Sequence, residues 1–465
     1  MRFPSFSPVA APAEAQHLKH LVLAATSISY IVVILDTSIV NVALQRVGSS
    51  LGTGVAGLQW IVNAYTLVFA SLLLSGGALG DRFAARWVYF TGLALFTFAS
   101  VCCGLAPGLG SLVAARALQG AGAALLVPCS LKLLSQAYPD DGERAGAIGV
   151  WAGWGGTALA GGPLAGGVLI DMFGWRSIFL VNLPIGLLGL WLTLRIPLAE
   201  AGKGGATARR LDLSGQVAAI VALAALVAVL IEGPQAGWGA PAILGGALLS
   251  VAAGTAFIAI EARRAAPMLP LDMFRNPAFS AAALVALVGT LTVFGLIFVF
   301  SLYFQQQRGY SPLVTGLAFL PLTAVVTAGN MVSGRLTRAC GAFWPVLGGL
   351  LCCAAGFAGM LPAGEHTPYW LLALPMLAIG LGGGLLTPAA TAALMAAADR
   401  SRAGIASGVL NTARQIGAAL GVALFGAMLA GLHPFMDGMR AALASATVLA
   451  LAAALVWRTG MRRHA

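Results

Sequence analysis

The chain has 465 residues, 59% of them hydrophobic and only 9% charged. Soluble domains carry about a quarter charged residues, so a soluble enzyme with one anchor is excluded and a polytopic membrane protein is indicated. The net charge of +11 would suggest nucleic acid in a soluble protein; here it predicts basic loops on one side of a bilayer and no nucleic-acid partner. Short strands of alternating polarity are absent, which excludes a transmembrane β-barrel.

Residues 1–17 are rich in Pro, Ala and Ser and are expected to be a disordered cytoplasmic N-terminus. No short apolar run with a cleavage site precedes the first helix, so that helix is expected to be retained. Apolar runs then predict helices at 18–44, 57–79, 87–106, 109–135, 145–170, 177–196, 213–231, 241–261, 278–304, 313–334, 343–361, 369–395, 404–431 and 440–457. With the N-terminus placed in the cytoplasm, twenty of the 26 Lys and Arg residues fall in cytoplasmic segments. Only Arg46, Arg176, Arg308 and Arg440 fall outside, while Arg116 and Arg414 lie within helices. So strong a bias supports fourteen helices with both termini cytoplasmic, in the plasma (inner) membrane.

The fold expected is therefore all-α, with two six-helix halves plus two inserted helices. The N-terminal half is 18–196, the linkers and inserted pair are 197–277, the C-terminal half is 278–457, and 458–465 is a cytoplasmic tail. A weak repeat relates Gly77-Ala78-Leu79-Gly80-Asp81-Arg82-Phe83, between helices 2 and 3, to Ser333-Gly334-Arg335-Leu336-Thr337-Arg338, between helices 10 and 11. Such repeats are typical of secondary transporters, whose site lies between the halves near midplane. The inserted helices are nearly pure Ala, Leu, Val, Ile and Gly, with Glu232 and Glu261 at their ends, and read as lipid-facing packing. The six cysteines have no metal-ligand spacing and read as small packing residues.

Asp36 is the one acid that this layout places mid-membrane, where a charge costs about 2.5–3.5 kcal/mol and is usually functional. Counted along the helices, Asp36 and Arg116 come to a similar depth, which predicts a pair. Gln119 and Asn41 extend them into an expected polar pocket in the outer part of the N-terminal half. A static salt bridge is the alternative. There is no G-x-x-x-x-G-K-[ST], and all five histidines lie outside helix interiors. Asp36 is thus the remaining titratable group for coupling to a proton gradient, with no cofactor. Arg414, with Asn411 and Gln415 nearby, and Asn63 and Asn330 are candidates for a substrate cavity. Gly77, Gly80, Asp81, Arg82 and Arg86 form a candidate cytoplasmic gate. Gly149, Gly153, Gly162, Pro163, Gly166 and Gly167 make helix 5 tightly packed and bendable.

At these residues the chain resembles the major facilitator superfamily, in particular its fourteen-helix drug:proton antiporter (multidrug efflux) family. Leu35 to Leu44 is similar to the family's helix-1 motif, and Gly77 to Phe83 to its loop 2–3 motif. Arg116-Ala117-Leu118-Gln119-Gly120 resembles the helix-4 motif, whose arginine is associated with proton transfer, and Gly161 to Gly167 the helix-5 antiporter motif. Gln45 stands where the first motif has Pro, and Ala84-Ala85 where the second has Gly-Arg. The resemblance implies export of lipophilic small molecules in exchange for protons, by a monomer that needs only protons, substrate and lipid bilayer. The absence of further mid-membrane acids favours neutral, zwitterionic or anionic substrates, with Arg414 as counter-charge. A metabolite facilitator or importer on the same fold, and a non-transporting sensor or scaffold, are the rival readings.

Overall fold

In the computed structural model, residues 12–197, 212–264, 267–399 and 402–462 are described. Fourteen helices are long and apolar enough to cross a membrane, and no strand occurs among the described residues. The first six are α1 (Pro12–Leu51), α2 (Val55–Arg82), α3 (Ala85–Gly104), α4 (Leu109–Ala137), α5 (Asp141–Phe173) and α6 (Asn182–Arg195), the last entered through a helical turn at Ser177–Leu180. The inserted pair is α7 (Leu213–Ala236) and α8 (Pro241–Arg263). The last six are α9 (Pro277–Leu302), α10 (Leu320–Cys340, after a turn at Pro312–Ala318), α11 (Phe343–Met360), α12 (Tyr369–Ala396), α13 (Ala403–Gly431) and α14 (Phe435–Arg462).

Local chemistry sets several of these ends. Asp140 caps α5 by accepting from Glu143 N at 2.9 Å, Asp212 caps α7 by accepting from Gly215 N at 2.8 Å, and Asn276 caps α9 ahead of Pro277. Gly174, Gly237 and Gly341 stop α5, α7 and α10 at φ of 80°, 86° and 75°, a left-handed conformation natural to glycine.

The helices overrun their predicted ends. α1 begins at Pro12, so 12–17 is not disordered as expected, and α14 continues to Arg462 through most of the expected tail. Residues 1–11 and most of the 197–212 linker lie outside the described residues. Gly77 to Arg82 belongs to α2 rather than to a loop, leaving only Phe83 and Ala84 as the link, and Ser333 to Arg338 lies inside α10. Polar and glycine residues at a helix end read as loop in sequence, yet neighbouring helices satisfy them in place.

The first six helices pack in the same pairing as the last six. α1 lies on α5 and α6 as α9 lies on α13 and α14, and α4 lies on α2 and α3 as α12 lies on α10 and α11. With fourteen helices running alternately up and down, the start of α1 and the end of α14 lie on one side, here called the terminal face; the other is the far face. The inserted pair behaves asymmetrically. α8 is turned outward, with Leu248 and Val251 about two-thirds exposed. α7 instead packs on α2 and α13, burying Val227 and Ile231 against Leu67, Ala419 and Ala423. It is not lipid-facing filler: Gln216 bonds to Ser71 O and Ser75, and Trp60 Nε1 donates to Glu232 at 2.7 Å.

Candidate functional site

The mid-membrane acid and one of the two mid-membrane bases are brought together. Asp36 on α1 and Arg116 on α4 are 0% and 1% exposed, and Arg116 Nη1 donates to Asp36 Oδ2. The other carboxylate oxygen accepts from Gln119 Nε2 at 2.8 Å and from Asn182 Nδ2 at 3.2 Å. Arg116 also donates to Gln119 Oε1 at 2.6 Å and to Ile61 O at 3.2 Å, and its guanidinium lies 4.4 Å from the Tyr65 ring centroid. Ser100 Oγ accepts from Gln119 and Asn182. A buried pair survives only when geometry and extra hydrogen bonds repay its desolvation, and here both partners have them. Gly120 completes the motif by absence: a Cβ there would sit 2.4 Å from Tyr65 O, so only glycine lets α4 approach α2 this closely.

This differs from the expected polar pocket in one respect. The network is a filled junction of α1, α2, α3, α4 and α6, and Asn41 is not part of it. Five residues at 100° each turn Asn41 roughly 140° away from Asp36 around α1. The depth counted from sequence also shifts, because α1 runs seven residues beyond its predicted end at 44. Asn182 and Ser100 are additions that the sequence reading misses. Asn182 carries a signal, being an amide within the apolar run of helix 6; Ser100 carries none.

Asn41 faces a central cavity of about 140 Å³ between α1 and α5 on one side and α9, α10, α12 and α13 on the other. Asn330 and Arg414 line it too, with Ser38, Pro163 and Thr290. Arg414 Nη2 donates to Thr391 Oγ1 at 2.7 Å and to Thr387 O at 3.1 Å, while Thr290 donates to Arg414 O at 2.9 Å. The guanidinium is thus tied to α12 without an acid. Asn330 Oδ1 is buried without a hydrogen-bond partner. The other candidates lie elsewhere. Gln119 serves the Asp36 network, and Asn63 is wholly buried in α2, where its side chain meets Thr66. Asn411 donates to Ser407 O, and neither it nor Gln415 lines the cavity, since they sit roughly 60° and 100° around α13 from Arg414.

α5 lies along the contact between the halves. A Cβ at Gly162 would fall 1.8 Å from Ser38 Oγ, and one at Gly166 2.6 Å from Ile39 Cγ1. A Cβ at Gly167 would meet Leu313 Cα at 2.6 Å, and one at Gly316 would meet Pro163 O at 2.4 Å. By contrast, nothing lies within 4 Å of a Cβ at Gly149 or Gly153, so that small-residue spacing makes no close contact. The hydrogen bonds between the halves gather toward the far face: Ser301 to Asn41 O, Gln306 to Gln45, Ser311 to Asp171, and Gln59 to Val422 O and Ala423 O. The far side is closed in this conformer.

At the terminal face, Lys132 on α4 donates to Asp81 at 2.8 Å and to Gly80 O at 2.6 Å. Arg86 donates to Leu194 O at 3.0 Å, and Arg82 lies over the Phe83 ring. Gly80 faces Cys129 Sγ, 2.8 Å from where a Cβ would stand, and Gly77 faces Pro128. These contacts join helix ends within the first half. In sequence, Lys132 stands out only as a positive charge.

A family model described as Major Facilitator Superfamily matches residues 26–422 and 327–464. The chain belongs to the Major Facilitator Superfamily. Within that superfamily it is 39% identical to the methylenomycin A resistance protein of Streptomyces coelicolor, over 88% of this chain and 85% of that one. It is 37% identical to the methylenomycin A resistance protein of Bacillus subtilis, over 94% and 93%, and 40% identical to the multidrug resistance protein Stp of Mycobacterium tuberculosis, over 88% and 76%. The superfamily fold is matched by the crystal structure of a bacterial homolog of the human lysosomal transporter Spinster, with a TM-score of 0.67, 17% identity, and coverage of 95% and 96%.

Proposed function

We infer that this protein is a secondary transporter that exports small lipophilic molecules, antibiotics among them, in exchange for protons. The observation that carries the reading is the enclosed Asp36–Arg116 network beside, but not within, a cavity between the halves. Relatives at 37–40% identity named for resistance support export and the substrate class. The arginine-rich terminal face is cytoplasmic in this reading and the membrane is the plasma membrane. One chain suffices, with no cofactor and no chemical reaction of its own.

The coupling follows from charge. With Asp36 ionised, the buried pair is neutral and fully bonded. A proton on Asp36 leaves the Arg116 charge buried without its counter-ion, and breaking such a pair costs about 3–5 kcal/mol. A proton crossing the membrane releases about 2.3 kcal/mol per 100 mV, and about 1.4 per pH unit. The two are of one size, so protonation can drive the junction of α1 and α4 into another packing. α1 carries Asp36 on one side and Ser38 and Asn41 on the other, so a shift of this helix reaches the cavity directly. Arg414, Asn330 and Asn41 then offer donors and acceptors to the polar part of a substrate, while the remaining wall is apolar.

The test is uptake of a panel of antibiotics and lipophilic dyes into proteoliposomes under an imposed pH gradient. Substrate-dependent proton movement is expected. Transport that ignores the gradient would remove antiport from the reading, and transport of none of the panel would remove export.

A further inference from the structure

A second cavity, of about 380 Å³, lies behind α9 and α13, outside the central one. Its walls include Ala70 on α2, Leu223 on α7, Phe257 on α8, Leu287 on α9 and Thr412 on α13, with Leu269 from the α8–α9 link as a cover. No charged residue lines it. Leu269 N donates to Glu261 Oε2 at 2.9 Å, which fixes the cover to the end of α8. The lining of α9 lies 3 to 10 residues from its start and that of α13 lies 6 to 13. At 1.5 Å per residue the space therefore spans roughly 5–20 Å from the terminal face, the depth of one leaflet's hydrocarbon.

An apolar cavity of about 150 Å³ stays dry and takes up small apolar molecules. This one is larger and mostly apolar, with Ser71, Ser280 and Thr412 as the polar residues of its wall. It also adjoins the central cavity through a single layer of helix. Leu287 faces it while Ala286 faces the central cavity, and on α13 Ala413 and Arg414 divide in the same way. Nearer the far face, α7 closes the seam between α2 and α13 with Val227 and Ile231; nearer the terminal face the same seam is left open as this space.

We propose that this cavity is a second binding site, which takes an uncharged lipophilic molecule from the leaflet next to the terminal face before it passes into the central cavity. The route into the central cavity rests on the export reading; binding in the site does not. The inserted pair then serves the transport path, because α7 keeps lipid out of the seam between the halves while leaving a pocket for cargo.

The experiment uses the full chain in nanodiscs with an alkyl-phenyl diazirine, an uncharged lipophilic photolabel, read by peptide mapping. Label is expected on 268–274, 280–287 and 409–416, falling about tenfold in Leu223→Trp and in the milder Ala219→Phe, both of which fill the space. In proteoliposomes both variants are expected to raise KM for a lipophilic cargo about tenfold with the maximal rate kept, the sign of lost binding rather than lost turnover. Equal labelling of wild type and both variants, or label confined to the outward residues Leu248 and Val251, overturns the site. So does labelling achieved only when the same diazirine is carried on phosphatidylcholine, since the space is then a lipid slot. If wild type transports no cargo but the label still enters the cavity, the export reading falls and the binding site stands.

Discussion

Asp36 and Arg116 show how one residue's role depends on what surrounds it. Hydrogen bonds reach both carboxylate oxygens and two guanidinium nitrogens, so protein groups hold the pair on both sides. Asp36→Asn keeps the shape and removes the charge. Proton-driven export is expected to fall by about 100-fold or more, the loss of a coupling worth roughly 3 kcal/mol. Energy-independent exchange of substrate across the membrane is expected to persist, as measured by counterflow in proteoliposomes. Arg116→Lys supplies a charge but not the fork that reaches Asp36, Gln119 and Ile61 O together, so it is expected to fail almost as badly. Asn182→Ala takes one donor from Asp36 and leaves the rest, so a milder loss of proton-driven export, measured in the same proteoliposomes, is the expected result.

Among the elements, α5 has the clearest structural demand. Its Gly162 and Gly166 face α1, and its Gly167 faces the Pro312–Ala318 turn of the other half. Gly167→Leu places a side chain where Leu313 backbone already stands, and overpacking of this kind costs about 1–3 kcal/mol. In the alternating-access reading that contact parts when the far side opens, so the cost falls on one conformer. The variant is expected to favour a far-open state, seen as faster labelling of a cysteine placed at Ser311 by a membrane-impermeant maleimide. Gly153→Leu, on the same helix with open space around it, is expected to leave labelling and export near wild type.

For the molecule as a whole, the halves touch through hydrogen bonds clustered toward the far face, with the cavity beneath them. Gln59 makes two of these ties, donating to two α13 carbonyls while Gly426 packs on its side chain. Gln59→Leu removes both bonds and is expected to loosen the closed far side. A reducible bis-methanethiosulfonate cross-link between cysteines placed at Gln45 and Gln306, whose side-chain ends bond at 2.7 Å, is expected to stop transport, and its reduction to restore it. Full transport with that bridge formed would show that the halves need not part there.

The sequence by itself determined the parts that depend on composition and order. Apolar runs long enough to span hydrocarbon gave the helix number, and charge bias gave the expected sidedness, because burying charge in lipid is costly wherever the chain goes. It also singled out Asp36, Arg116 and Arg414, since polar atoms in long apolar runs are few. Only the tertiary structure decided which partners those atoms have. Asn41, five residues from Asp36, turns to the cavity, while Asn182, distant in sequence, turns to Asp36. The same is true of the glycines, where Gly153 and Gly167 look alike in sequence and only one has a backbone against it. A helix's sequence gives the angle between its own side chains; what lies opposite each of them depends on how all fourteen helices pack.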